Sequence, residues 1–232
     1  MTRRETSRTY DPSLDGSFGL LSAAHELKAP TALLRQLALE LRGIAEGDTE
    51  RRLIDQMILT SERSLRLTSD LTKTARLQDG LFEMEPVNAQ QLCEEVAHEL
   101  TPLYRAHGRT INVRPRRQAP LVVANRDLLR RVLLGFGDNA LHYSHEDTSV
   151  VLGVEQRDRF VQLGVRDQGP ILPYRGVDAR PAVTGRPQSS GLGLMIAQQF
   201  ADVMNGTVGT RRHKDGMTFY INMAMSEQLS LL

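Results

Sequence analysis

The first part of the chain carries a heptad repeat of apolar residues. A leucine recurs every seven residues, at Leu20, Leu27, Leu34 and Leu41. Three positions after each of these leucines lies a second set of apolar residues, Ala23, Pro30, Leu37 and Ile44. This a/d spacing predicts one long amphipathic helix over about 14–45, with an apolar seam along one side. We expect a kink at Pro30, because proline removes a backbone donor from the helix.

A second amphipathic pattern follows Gly47 and predicts a helix over about 49–77. Its apolar residues include Leu53, Met57, Leu67 and Leu71, and hydroxyl residues interrupt the stripe at Thr60, Ser61, Ser64 and Thr68. Two such helices joined by a short turn cannot bury their seam alone. We therefore predict that two copies of the chain form a homodimer, in which the two hairpins pack as a four-helix bundle.

Beyond Gly80 the periodicity changes to short extended segments interleaved with helices. The pattern predicts extended segments at 81–87, 111–113, 121–124, 150–155, 160–166, 207–211 and 218–223, and helices at 89–107, 127–143 and 192–204. Such interleaving, ending in a hairpin at 214–216, predicts an α/β sandwich with helices on one face of the sheet.

The predicted fold class is therefore α+β, with a two-helix hairpin followed by an α/β sandwich. We divide the chain into a flexible N-terminal segment at 1–15, the helical hairpin at 16–78, a linker at 79–86 and the second domain at 87–232.

Composition narrows the function classes. With 29 Lys and Arg against 28 Asp and Glu in 232 residues, the chain lacks the concentrated basic charge of a nucleic-acid-binding protein. Cys93 is the single cysteine, which excludes an intrachain disulfide and fits a reducing compartment. No apolar run reaches the roughly 18 residues of a membrane segment. We therefore expect a cytoplasmic protein, or the cytoplasmic part of a longer membrane protein.

A histidine beside a carboxylate, His25-Glu26, lies in the first helix. If Leu20 occupies heptad position a, His25 occupies position f, which points to solvent. Surface histidines are common on amphipathic helices and usually have no function. The interpretation of His25 therefore depends on the motifs further along the chain.

Two polar motifs of the second domain could hold a nucleotide. Asn139, near the end of a predicted helix, offers the amide oxygen that Mg²⁺ accepts as a ligand. Asp167 ends a predicted strand, where its carboxylate could accept from an adenine amino group, and Gly169 would let the ring approach the backbone. Taken alone, the first motif is equally typical of a polar helix surface and the second of a simple turn.

A third motif, Ser190-Gly191-Leu192-Gly193, opens a predicted helix. Glycines at a helix N-terminus leave backbone N–H groups free to face phosphate oxygens. A single Gly-x-Gly is weak evidence, and the apolar helix that follows strengthens it.

The order of these motifs resembles that of the sensor histidine kinases of two-component signalling. The matching segments are His25-Glu-x-Lys-x-Pro30, Asp138-Asn-Ala140, Asp167-x-Gly169 and Gly191-Leu-Gly-Leu194, and the resemblance covers about 20–225. It implies a dimerisation and histidine-phosphotransfer hairpin followed by a Bergerat-fold ATP-binding domain. The implied activity is ATP-dependent phosphorylation of the motif histidine, followed by transfer of the phosphoryl group to an aspartate of a response regulator.

The resemblance also implies a role for each matching residue. His25 would be the phosphoacceptor, and Glu26 would orient or deprotonate its imidazole. Asn139 would hold Mg²⁺, and Asp167 the adenine amino group of ATP. The other implied nucleotide-binding residues are Gly169, Ser190, Gly191, Leu192, Gly193, His142 and Tyr143. The implied partners are a second copy of the chain, the receiver domain of a response regulator, and either a separate sensor protein or a sensor domain outside this chain.

The chain departs from the family pattern at several positions. Gly135 stands where the family has a first asparagine, His142 where it has lysine, and Ile171 where it has a second glycine. We therefore expect weaker nucleotide binding than is usual in the family, and the alternative function is a degenerate kinase-like dimer that acts as a binding scaffold. Ala29 stands where phosphatase-active members carry threonine or asparagine, which predicts weak or absent phosphatase activity. A chaperone or DNA-acting ATPase would leave the histidine hairpin unexplained.

Overall fold

Residues 12–74, 82–118, 120–145, 148–169 and 192–226 are described by the structure, a computed structural model. The helices are α1 (Pro12–Ile44), α2 (Asp48–Thr74), α3 (Ala89–Ala106), α4 (Arg126–Tyr143) and α5 (Leu192–Val203). The strands are β1 (Glu85–Asn88), β2 (Thr110–Val113), β3 (Leu121–Ala124), β4 (Ser149–Arg157), β5 (Phe160–Arg166), β6 (Thr207–His213) and β7 (Gly216–Ala224). Among the described helices, none is long and apolar enough to cross a membrane.

Helices α1 and α2 form the predicted antiparallel hairpin. Ion pairs join them from Arg35 to Glu62, with N and O 2.8 Å apart, and from Arg42 to Asp55, 2.7 Å apart. Ala24 and Ala38 are buried, and both occupy heptad position e. Small side chains at this position let the two helices approach closely. The apolar a/d seam therefore does not face α2.

The seam remains exposed in the single chain. Its exposed members are Leu27, Leu34, Leu37, Leu41 and Ile44, whose exposed fractions range from 45% for Leu41 to 75% for Ile44. Helix α1 continues through Pro30, and the Thr31 hydroxyl donates to the carbonyl of Leu27 at 2.7 Å. The kink at Pro30 stays a prediction.

Hydroxyl residues that interrupt the apolar stripe of α2 are partly buried. Ser61 and Thr68 are 8% and 7% exposed. The Ser61 hydroxyl donates to the carbonyl of Ile58, and the Thr68 hydroxyl to that of Ser64, both at 2.7 Å. Because each hydroxyl is satisfied within its own helix, it can be buried without a partner on another element.

The second domain is the predicted sandwich of a sheet and helices. Its main sheet has the strand order β2-β4-β5-β7-β6, parallel between β2 and β4 and antiparallel elsewhere, and β1 pairs with β3 in a separate ribbon. Alternate residues of β4, β5 and β7 are buried against α3, α4 and α5, as Leu152, Leu163 and Ile221 illustrate. The helices cover only this inner face. The opposite, outer face of the sheet carries mostly polar residues and glycines, together with Val151, Phe160 and Tyr220.

Two predicted boundaries differ from the structure. Helix α1 begins at Pro12, inside the N-terminal segment predicted at 1–15, and proline is favoured in the first turn because its missing N–H has no helical acceptor there. The linker predicted at 79–86 overlaps β1, and Phe82 and Met84 pack against the domain core. The end of that segment therefore belongs to the second domain.

Substituting each of two glycines of α4 by alanine tests how tightly the two sides of this helix are packed. A methyl group at Gly135 would meet no atom within 4 Å, whereas one at Gly137 would lie 2.3 Å from Cδ1 of the buried Leu100. We expect Gly135→Ala to raise the free energy of unfolding of this domain by about 0.5–1 kcal/mol, because glycine is a poor helix former. Gly137→Ala should lower it by about 1 kcal/mol or more through overpacking. Urea denaturation of both variants checks this, and equal effects would contradict it.

Candidate functional site

The candidate site is built around the C-terminal half of α4. Asn139 is half-buried there, and α5 begins beside it. A Cβ placed on Gly193 would lie 3.7 Å from both Nδ2 and Oδ1 of the Asn139 side chain. The first turn of α5 and the amide of Asn139 therefore share one small region, although 54 residues separate them in the sequence.

Asp167 directly follows β5 and is 2% exposed. Its Oδ1 accepts from the backbone N–H of Met217 at 3.0 Å, and its own N–H donates to the carbonyl of Met217 at 2.9 Å. The backbone N–H of Gly169 also donates to the carboxylate. Burial raises the pKa of Asp167 above its usual value, while these hydrogen bonds act in the opposite direction.

Glycine residues allow the close approaches around Asp167. A Cβ on Gly216 would lie 2.1 Å from the Asp167 carbonyl oxygen, and one on Gly169 would lie 2.0 Å from the carbonyl oxygen of Tyr143. In addition, the N–H of His145 donates to the carbonyl of Gln168 at 2.9 Å. The end of β5 is therefore held against the end of α4, which brings the second polar motif next to the first.

Two side chains support the backbone of α4 from the side of α3. The buried Tyr104 hydroxyl donates to the carbonyl of Gly137 at 2.7 Å, and the guanidinium of Arg109 donates to that of Leu141. Burial raises the pKa of Tyr104, so its phenol remains a donor. Sequence reasoning missed both residues, because nothing in their local pattern indicates a partner more than 30 residues away.

The hairpin packs against this same helix. The Arg66 guanidinium of α2 donates to both carboxylate oxygens of Asp138, at 3.2 and 3.4 Å, and Arg131 of α4 forms an ion pair with Asp70 of α2. The Asp138 side chain is only 12% exposed. Burial raises the pKa of Asp138, and the nearby Arg66 and Arg63 oppose that shift. This contact fixes Asn139, the neighbour of Asp138, relative to α2.

Some of the predicted site residues lie outside the described residues. Ser190, Gly191 and Ile171 are among them, and so are the side chains of His25, His142 and Leu192. The backbone of His25 lies in α1, and Glu26 is exposed. The described part of the chain brings together Asn139, Tyr143, Asp167, Gly169 and Gly193, and it places His25 and Glu26 on the separate helical hairpin.

No group of three or more His, Cys, Asp or Glu side chains that could hold a metal occurs in the described residues. Asn139 nevertheless offers a hard oxygen ligand beside the first turn of α5. This arrangement fits a magnesium ion that takes its other ligands from nucleotide phosphates and water, and it does not fit an ion held by protein ligands alone.

Comparison with known proteins defines the class. Residues 124–227 match the family model described as histidine kinase-, DNA gyrase B- and HSP90-like ATPase. That range contains every described nucleotide-site residue named above. The family model and the similar proteins together support a sensor histidine kinase.

The similarity extends across both parts of the chain. It is 24% identical over 231 residues to the adaptive-response sensory kinase SasA of Prochlorococcus marinus, covering 95% of this chain and 60% of that protein. It is 28% identical over 228 residues to the sensor protein SphS of Synechococcus elongatus, covering 90% of this chain and 54% of that one. The chain therefore spans little more than half the length of these relatives.

A solved structure agrees on the fold. The crystal structure of full-length ShkA in complex with AMPPNP superimposes with a TM-score of 0.64 at 24% identity, and the match covers 93% of this chain and 47% of that one. The match includes both the helical hairpin and the sandwich domain, which confirms the predicted fold class.

Proposed function

We propose that this chain is an ATP-dependent kinase that phosphorylates its own His25 and passes the phosphoryl group to an aspartate of a response regulator. The observation that best supports the proposal is the arrangement of Asn139, Asp167 and Gly193 around one end of α4. These residues offer a metal ligand, a buried carboxylate for adenine and the first turn of α5 for phosphates.

In the proposed reaction an imidazole nitrogen of His25 forms a bond to the γ-phosphorus of ATP. The bond from that phosphorus to the bridging oxygen breaks, and ADP leaves. Glu26, the next residue of α1, orients the imidazole and accepts the proton it loses. Asn139 would hold Mg²⁺, which neutralises charge on the phosphates when it is bound.

The remaining nucleotide contacts follow the motifs. The carboxylate of Asp167 accepts from the adenine amino group, and Gly169, packed closely against the carbonyl of Tyr143, keeps the end of β5 beside α4. The phosphates meet the start of α5, where Ser190, Gly191, Leu192 and Gly193 supply backbone N–H groups, with His142 nearby on α4. The proposed use of ATP and the single, buried thiol of Cys93 support a cytoplasmic location for this chemistry.

One labelling experiment tests the proposal. Wild type, His25→Ala and the control His98→Ala, which removes an exposed histidine of α3, are incubated with γ-labelled ATP and Mg²⁺. We expect acid-labile label on wild type and on the control, and none on His25→Ala. Subsequent addition of an isolated receiver domain should move the label to its aspartate. Label that persists in His25→Ala would contradict the assignment of His25.

A non-catalytic scaffold is the second candidate function. It is favoured by the space at Gly135, where no atom lies within 4 Å of an added Cβ and the family asparagine is missing. His142 and Ile171 depart from the family in the same region of the sequence. Absence of label on wild-type protein that still dimerises would support the scaffold.

We further propose that the hairpins of two chains pair through the exposed a/d seam. Each buried leucine side chain contributes about 1.5–3 kcal/mol relative to solvent exposure, so a continuous seam supplies ample stabilisation. We expect the double substitution Leu34→Glu and Leu41→Glu to convert a dimer into a monomer in analytical ultracentrifugation. Gln36→Glu, at an exposed polar position of the same helix, serves as the control and should leave the dimer intact. A dimer that survives the double substitution would contradict the seam as the interface.

A further inference from the structure

The outer face of the five-stranded sheet contains a polar cleft that the proposed kinase function does not use. Its volume is about 440 Å³, within the size range of small-molecule sites. It is lined by residues of β4, β5, β6 and β7, together with Arg114. We call this the outer-face cleft. It lies across the sheet from α4, on the face that the helices leave uncovered.

Two glycines form the floor of the outer-face cleft. Gly153 of β4 is directly opposite Gly164 of β5 in the antiparallel register. Gly164 is buried against Thr218 and Tyr220, so the open backbone at this level is that of Gly153. A Cβ on Gly153 would meet no atom within 4 Å, which shows that the space above it is open. The next strand carries Tyr220, whose ring leans away from this floor and over Gly209.

Three arginines surround this floor. Arg114 directly follows β2 and is exposed. Arg166 lies two residues beyond Gly164 on β5, and Arg211 lies on β6. The guanidinium of Arg211 lies 5.7 Å from the centre of the Tyr220 ring and donates to the Gln162 side chain at 2.8 Å. Gln162, only 5% exposed, donates in turn to Asn222 at 2.8 Å. These contacts hold Arg211 in place before any ligand arrives.

One carboxylate lies among the arginines. Glu155 accepts from Arg157 at 2.9 Å and lies 3.7 Å from Arg211, and both contacts are made by its Oε2 atom. The hydrogen bond from Arg157 lowers the pKa of Glu155, and the charges of Arg211 and Arg114 act in the same direction. Burial lowers the pKa of His213, and Arg166 and Arg211 act in the same direction, whereas Asp215 and Glu155 oppose them. Three arginines face two carboxylates here, Glu155 and the exposed Asp215, so the cleft carries a net positive charge. Glu155 is therefore an ionised acceptor in a cationic cleft.

We propose that the outer-face cleft binds a small dicarboxylate that carries a hydroxyl or amino group. Arg114 and Arg166 hold the two carboxylates, and the hydroxyl or amino group donates to Glu155. An arginine has five donors in a planar fork, so the 2.8 Å pair between Arg166 and the exposed Asp215 leaves donors for a ligand. A phosphodiester is disfavoured, because its phosphate group carries no hydrogen-bond donor for Glu155.

Isothermal titration of the full chain tests this proposal with ligands that share one carbon skeleton. Malate and aspartate carry the donor, succinate lacks it, and inorganic phosphate tests for simple anion binding. Saturating AMP-PNP and Mg²⁺ are present throughout to occupy the nucleotide site. We expect malate or aspartate to bind about tenfold or more tightly than succinate and phosphate, the scale of one charge-assisted hydrogen bond.

Two variants locate the binding. Gly153→Val fills open space on a strand, where a β-branched residue is favoured, and should abolish binding while the protein stays folded. Arg114→Ala should weaken binding about tenfold or more, whereas Arg117→Ala, which removes an exposed charge three residues away, should not. Equal affinity for succinate, phosphate and malate, no binding of any probe at millimolar concentration, or binding unchanged in both Gly153→Val and Arg114→Ala would overturn the proposal.

Discussion

Asp167→Asn is expected to weaken ATP binding by about a hundredfold while the domain remains folded. The carboxylate of Asp167 is surrounded by donors, because the N–H groups of Met217 and Gly169 both point at it. An adenine amino group would be a further donor. A carboxylate accepts from all of them, whereas an asparagine side chain has one acceptor oxygen and must direct its NH₂ group at one of the donors.

Isothermal titration with AMP-PNP and Mg²⁺ measures this effect, and thermal unfolding shows whether the fold survives. Asp202→Asn provides the matched control, since Asp202 is an exposed residue of α5 that accepts from Gln198 at 2.6 Å. It should change neither affinity nor stability appreciably. Wild-type affinity in Asp167→Asn would remove Asp167 from the nucleotide site and weaken the proposed function.

Much of the fold could be predicted from periodicity because each element has one buried face. Strands β3 and β5 have the predicted bounds, and α4 differs by a single residue. In these segments the spacing of apolar residues directly reflects the contacts they make. The bounds of β1 could not be predicted as closely from apolar spacing, because this strand contains a single buried residue, Val87, and a proline.

The candidate site could be predicted in part, through motifs that carry their own chemistry. Asn139, Asp167 and Gly193 were identified because amides, carboxylates and helix-opening glycines have specific ligand preferences. Arg66 and Asp70 were not identified. A charged residue on an amphipathic helix is usually solvated, and the partners of these two residues lie more than 60 positions further along the chain.

The ion pairs within the hairpin show which residues of α1 and α2 lie side by side, and this bears on the role of Arg66. The pairs Arg35–Glu62 and Arg42–Asp55 have the same residue-number sum, so residue 25 of α1 lies level with residue 72 of α2. Arg66, which holds Asp138, lies six residues from that level, or roughly 9 Å along the helix axis. Under the proposed function, we therefore predict that the end of α4 that carries Asn139 shifts along the hairpin before it serves His25.

Asp70→Arg should release α4 from α2 and raise the rate of autophosphorylation severalfold. The side chains of Asp70 and Arg131 are 16% and 24% exposed. Two like charges at this place should therefore destabilise the contact between α2 and α4 by about 2 kcal/mol, which is less than the cost at a fully buried pair. Amide hydrogen exchange across 63–74 should accelerate about thirtyfold, which corresponds to that free energy.

The charge swap separates this electrostatic effect from general damage to the helix. Combining Asp70→Arg with Arg131→Asp restores an attractive pair at the same place, so both exchange and autophosphorylation should return towards wild-type rates. Asp55→Arg, which breaks the more exposed pair with Arg42 inside the hairpin, should leave exchange across 63–74 unchanged. If the swap fails to restore slow exchange, the pair does not hold the two domains together. If Asp70→Arg accelerates exchange but lowers autophosphorylation, the contact supports catalysis, because the observed position of α4 is then the productive one.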